Sequence, residues 1–156
     1  MLRYFPSPLP PPLVRVQRLV QEQLDHWQEH GYGWWAVEVR RSASPRQVGA
    51  FIGWAGLQYL PEADTGRPTD ETEVGYLLDK AYWGQGLATE AARASVCFGF
   101  ETLDLAEIVG IVHPDNVASQ RVLEKTGLSR VERTVYFNMD CYRYAVQRDA
   151  WMALDV

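Results

Sequence analysis

The 156-residue chain has little sulfur, no excess of positive charge and no long apolar run. Its two cysteines, Cys97 and Cys141, sit in apolar surroundings far from any CxxC spacing. That excludes a disulfide framework or a cysteine-held zinc and points to two buried thiols in a reducing compartment. The 15 Lys and Arg are outnumbered by 20 Asp and Glu, for a formal charge of -5. A nucleic-acid partner, which needs a concentrated basic surface, is thereby excluded. No apolar run approaches the roughly 18 residues of a membrane span, and Met1-Leu2-Arg3-Tyr4-Phe5 lacks the charged and apolar regions of a secretory signal. A cytoplasmic protein with no membrane partner is expected.

What the chain does have is hydrophobic bulk: 47% of its residues are apolar, including 6 Trp, 8 Tyr and 5 Phe. That suffices for one core, so residues 1–156 read as a single domain with a proline-rich lead-in over 1–12. The prolines between Pro6 and Pro12 dictate an extended backbone. Val16, Val20, Leu24 and Trp27 then recur at three- and four-residue steps, predicting an amphipathic helix that ends at Gly31. His26 and His30 fall on its polar side. No acidic or cysteine set completes a metal site nearby, so a solvated face is expected and no metal.

Trp34 to Arg40 and Val48 to Leu60, separated by Ser42-Ala43-Ser44-Pro45, predict an antiparallel hairpin. Residues 61–72 read as a polar loop, its neighbourhood holding Glu62, Asp64, Asp70, Glu71 and Glu73 against Arg67. This is either a solvated loop or a rim that attracts a cation. Val74 to Asp79 predicts a third strand, and Leu87 to Leu103 a helix whose small face (Ala88, Ala91, Ala92, Ser95, Gly99) lies close against a sheet. Ile108 to Val112 predicts a strand, Asn116 to Gly127 a capped helix, and Val131 to Phe137 and Tyr142 to Val146 two more strands. Mixed α/β is the class that fits this order.

Between the third strand and the small-faced helix lies Gly84-Gln85-Gly86-Leu87-Ala88-Thr89. Backbone N–H groups and a helix dipole converge there, which suits a phosphate. A dinucleotide fingerprint fits poorly. Its third glycine would be Thr89, and the acidic residue expected at the end of the next strand is absent, since that strand opens on Glu107 and closes on His113.

Taken with Asn116-Val117-Ala118-Ser119 and Lys125-Thr126-Gly127-Leu128, Trp83-Gly84-Gln85-Gly86-Leu87-Ala88 resembles the GNAT superfamily of acetyl-CoA-dependent N-acyltransferases. More narrowly, it resembles the ribosomal-protein N-terminal acetyltransferase branch. The resemblance implies a twisted mixed sheet flanked by helices, with two central parallel strands splayed around acetyl-CoA. It places the coenzyme pyrophosphate on Gly84, Gln85, Gly86, Leu87, Ala88 and Thr89. The pantetheine arm falls along Tyr76, Leu77 and Leu78 and beside Val109 and Ile111, with Asn116 and Ser119 holding it. A backbone N–H near Leu77 is implied for the thioester oxygen.

By the same resemblance Glu73 is the candidate general base, against an exposed carboxylate at a strand start. Relatives carry a general-acid tyrosine seven residues after the asparagine. Leu123 stands there, so Ser119 is the substitute expected to meet the sulfur, unless it merely packs a helix turn. Trp34, Trp35, Trp54, Tyr136, Tyr142 and His113 either wall an acceptor pocket or belong to the core and strand ends. The implied activity is acetyl transfer to a primary amine, of a protein N-terminus or a small molecule, with a non-catalytic acyl-CoA-binding module as the alternative. Family members carry a first strand and short helix before the region matching Arg3-Tyr4-Phe5. None is visible here, and the open sheet edge leads to an expected homodimer.

Overall fold

The computed structural model describes residues 2–7, 9–40, 48–62 and 65–154. The turn expected over 42–45 and the Asp64 carboxylate lie outside them. The element order is α1 (Leu13–His30), β1 (Trp34–Glu38), β2 (Phe51–Pro61), β3 (Pro68–Leu78), a 3-10 turn (Lys80–Tyr82), α2 (Leu87–Glu101), β4 (Glu107–Val112), α3 (Val117–Lys125), β5 (Ser129–Tyr136), β6 (Met139–Gln147) and α4 (Arg148–Met152). The strands form one mixed sheet in the order β1-β2-β3-β4-β6-β5. Among the described residues no helix is long and apolar enough to cross a membrane.

One face of the sheet carries the main core. Leu57, Val74, Ile108, Val112 and Tyr144 pack there with Ala92, Val96 and Phe100 of α2 and Leu123 of α3. The small residues foreseen on α2 let it lie close, Ala92, Ser95 and Gly99 all being buried against the sheet. Cys141 is buried as expected, whereas Cys97 is only half-buried on α2.

β3 begins at Pro68 rather than Val74, so most of the expected loop is strand. Pro61 pairs with Pro68 and Tyr59 with Thr72, and the Thr69 hydroxyl donates to the Leu60 carbonyl at 2.7 Å. Cross-strand pairing with β2 thus overrides the polar composition of this stretch.

The orientation of α1 also departs from expectation. Val16, Val20 and Leu24 face solvent, at 38%, 54% and 57% exposure, and the surface turned to the sheet is built from Gln23, His26 and Trp27. The reason lies in the backbone beneath. Trp27 Nε1 donates to the Trp34 carbonyl at 3.0 Å, and His26 contacts the Tyr32 carbonyl through Nδ1 at 2.7 Å and the Tyr59 N–H through Nε2 at 3.3 Å. A buried backbone group without a partner costs about 1–3 kcal/mol, as much as burying a valine contributes. Polar side chains therefore take the inner face.

Because a backbone N–H only donates, His26 Nε2 must be unprotonated and Nδ1 must carry the hydrogen. Burial, with His30 nearby, holds the His26 pKa below its ordinary 6.5. A depressed pKa gives stability that is present above pH 6.5 and fades as pH falls through the folded value. Loosening of α1 on acidification from about pH 7 to about pH 5 is the expected result, read as a Trp27-dependent fluorescence change that His26→Gln removes.

Candidate active site

Side-chain alternation along the strands sorts the sheet into two faces. β3 and β4 run parallel and meet at Glu73 opposite Val109, after which they part. The Tyr76-Leu77-Leu78 backbone on one side and Gly110 to Val112 on the other therefore border an open slot, the splayed pair expected of this fold.

Glu73 stands at the closed end of that slot, on the face away from α2. Gln58 is directly opposite it on β2, and Gln58 and the backbone N–H of Ile111 are the donors that act to lower its pKa. Burial outweighs these donors and pushes the Glu73 pKa up to about 7. The same face carries Trp34 and Trp54, their rings stacked at 3.7 Å over Gly75. Tyr136 also stands on it, donating to the Pro61 carbonyl, with its own pKa raised by burial and by the Glu73 charge. Trp34 Nε1 is buried and lacks a hydrogen-bond partner among the described residues. Further along, Arg143 bridges Glu71 and Glu107, the latter at 3.2 Å, so Glu71 is neutralised and only part of the expected acidic rim is free.

Trp35 and Tyr142 occupy the opposite face, Trp35 against Phe98 of α2 and Tyr142 against the core and beneath Arg130. His113 is a strand-end residue that stacks on Tyr4 and accepts the Asp115 N–H.

On the α2 side of the slot the Tyr76 hydroxyl reaches α3, 2.8 Å from Ser119 Oγ and 3.2 Å from the Ser119 carbonyl. Burial raises the phenol pKa above its ordinary 10, so it remains protonated. Asn116 caps α3, its Oδ1 accepting the Ser119 N–H at 3.2 Å, which leaves its amide NH2 end for another partner. Leu123 is 2% exposed, inside the core and away from any chemistry. The motif pattern gives Tyr76 no side-chain role. Its sequence signal is the two-residue spacing from the core residue Val74, which turns both toward the helices.

At the open end of the slot Asp79 caps the 3-10 turn, and Trp83 Nε1 donates to the Leu78 carbonyl at 2.8 Å, tying the loop to β3. That bond occupies one of the backbone groups expected to serve a ligand. Gly84 and Gly86 have φ of 74° and 80°, and a Cβ at either would meet nothing within 4 Å. Gly86 caps α2 with no side chain in the way, so the first-turn N–H groups of Leu87, Ala88 and Thr89 open onto free space.

A parted parallel pair followed by a glycine turn into a helix is the arrangement that the motif resemblance implies. The chain belongs to the acetyltransferase (GNAT) domain family, whose sequence profile matches residues 1–129. Among curated relatives, an FsC-acetyl coenzyme A-N(2)-transacetylase of Aspergillus fumigatus is 35% identical over 117 residues, covering 68% of this chain and 49% of the relative. The chain spans about half the length of the curated relatives it matches, 49% and 54% for two of them. The ribosomal-protein-S5-alanine acetyltransferase of Vibrio fischeri superposes with a TM-score of 0.64 at 24% identity, covering 86% of this chain and 71% of that one. The aminoglycoside acetyltransferase AAC(6')-Ib, solved with coenzyme A, superposes with a TM-score of 0.73 at 19% identity, covering 99% and 86%. At these identities the two structures attest the fold alone.

Proposed function

We propose that the chain is an acetyl-CoA-dependent N-acetyltransferase acting on a primary amine by direct attack in a ternary complex. The observation that carries this reading is the placement of Glu73 and the Tyr76–Ser119 pair on opposite faces of one strand, either side of the slot. The cradle fits the coenzyme: Gly84 and Gly86 leave room for a pyrophosphate on the N–H groups from Gly84 to Thr89. Tyr76, Leu77 and Leu78 on β3, and Val109 and Ile111 on β4, offer strand-like backbone to pantetheine amides. The Asn116 amide holds the same arm. The thioester supplies an acyl carbon open to attack and a thiolate leaving group.

Glu73, with a pKa of about 7, accepts a proton from the incoming ammonium near neutral pH. An α-amine near 8 gives it up far more readily than a lysine near 10.4. A backbone N–H at Leu77 is the donor for the developing oxyanion. Tyr76 donates its phenolic proton to the departing sulfur and regains one through Ser119. Trp34, Trp54 and Tyr136 wall the acceptor side. The acceptor is a protein N-terminal α-amine or a small-molecule amine, a range consistent with the relatives' names.

Two further expectations belong to this reading. A second copy pairs along an open edge of the sheet, so light scattering at micromolar concentration reads a dimer. The free Cys97 and Cys141 suit a reducing cytoplasm.

Tyr76→Phe is expected to lower kcat by about 10²-fold with little change in the KM for acetyl-CoA, and Ser119→Ala by about tenfold. Unchanged turnover in both variants contradicts the assignment of the acid.

A further inference from the structure

The Glu73 carboxyl is tied to helix α1 through the side chains of Gln58 and Gln23. The Trp34 backbone N–H donates to Gln23 Oε1 at 3.1 Å. A backbone N–H cannot accept, so this contact orients the Gln23 amide, and its Nε2 then donates to Gln58 Oε1 at 3.0 Å. With its oxygen taken, Gln58 presents only Nε2 to the carboxyl beyond it, and it is the direct cross-strand partner of Glu73.

We propose that Gln23 and Gln58 are positioning residues: a one-way hydrogen-bond relay from the β1 backbone through α1 that holds a donor on Glu73 and fixes where its second oxygen points. The inference rests on the reading of Glu73 as the base. A donor held on the carboxylate favours its ionised form and opposes the burial that disfavours it. The relay thereby sets the pH at which the base becomes competent.

Other groups bear on the same titration: Glu71 on its own strand, Tyr136 on β5, and Cys141 and Arg143 on β6 share the carboxyl's face, with Arg143 occupied by Glu71 and Glu107, while Tyr76 couples to it from the opposite face of β3. From α1, His26 stands one residue along β2, bonded to the Tyr59 N–H. None of them contacts the Gln23–Gln58 bond.

The test is a carboxyl-carbon NMR titration of glutamate-labelled protein without substrate, with the Glu73 signal assigned by its absence in Glu73→Gln. Gln58→Met removes the donor, and Gln23→Met leaves Gln58 in place but free to turn. The expected result is a rise of the Glu73 midpoint by about one pH unit in Gln58→Met and a smaller rise in Gln23→Met. The acid limb of kcat/KM should move by the same amounts at constant KM for acetyl-CoA. Unmoved midpoints in both variants overturn the relay. Should Gln58→Met fail to fold, Gln23→Met alone decides the question. A moved midpoint together with full activity in Glu73→Gln supports the relay and refutes the catalytic reading, so the two failures are distinguishable.

Discussion

Glu73→Gln is expected to lower kcat for acetyl transfer by about 10²- to 10⁴-fold, the range that general-base catalysis contributes. The substitution keeps the shape of the side chain and its bond to Gln58, and removes only the ability to take a proton. The wild type should show an acid limb in its pH–rate profile near 7, where the Glu73 pKa lies, and the variant should lose it.

The same change should stabilise the fold, and the sign follows from the raised pKa. A carboxyl with a pKa of about 7 in the folded chain and an ordinary 4.5 in the unfolded one binds more protons folded than unfolded between those values. Its favourable contribution is full below pH 4.5 and is lost as pH rises through 7. Above that point the wild type carries a desolvated charge that glutamine avoids. Glu73→Gln should therefore melt a few degrees higher near pH 8 and no higher near pH 4. Loss of activity with a gain of stability is the pattern of a residue retained for chemistry.

The second large effect is expected at the cofactor loop. Gly86 has φ of 80°, a conformation that costs a side-chain-bearing residue about 1–2 kcal/mol. Gly86→Trp adds an indole to the open space that the first-turn N–H groups of α2 face. Coenzyme A affinity should fall by about 10²-fold or more by calorimetry, while the core, which Gly86 does not touch, keeps its melting temperature within a few degrees. Unchanged affinity would show that the pyrophosphate does not lie on this turn.

These two positions differ in how plainly the sequence announces them. The glycine turn and the Asn116 cap are local features that rest on contacts within a few residues of themselves, and the small face of α2 is announced by residue size alone, although the sheet it packs on comes from elsewhere in the chain. Their structure follows the motif pattern closely. α1 does not, because the groups that decide which face turns inward come from elsewhere: the Tyr32 carbonyl just beyond it and the Tyr59 N–H 33 residues from His26. Apolar periodicity sees Val16, Val20 and Leu24 but cannot see a backbone in need of partners.

The acid shows the same limit. Tyr76 and Ser119 are 43 residues apart, and only the parting of β3 from β4 brings the phenol over the start of α3. A search for tyrosine at the position of Leu123 therefore finds none, although a tyrosine hydroxyl stands beside Ser119 from another element. Of the aromatic residues that alternated between wall and core, strand register alone separates Trp34, Trp54 and Tyr136, on the Glu73 face, from Trp35 and Tyr142, on the other.

The central claim is that this slot transfers acetyl groups to amines rather than merely holding the coenzyme. Its most direct measurement is thiol release from acetyl-CoA by the wild-type chain, with mass spectrometry of the acceptor, across a panel of N-terminal peptides and polyamines. Release of coenzyme A matched by acetylation of at least one primary amine, and suppressed in Glu73→Gln, is the predicted result. Saturable binding of coenzyme A with no turnover on any acceptor would contradict it and mark the chain as an acyl-CoA-binding module.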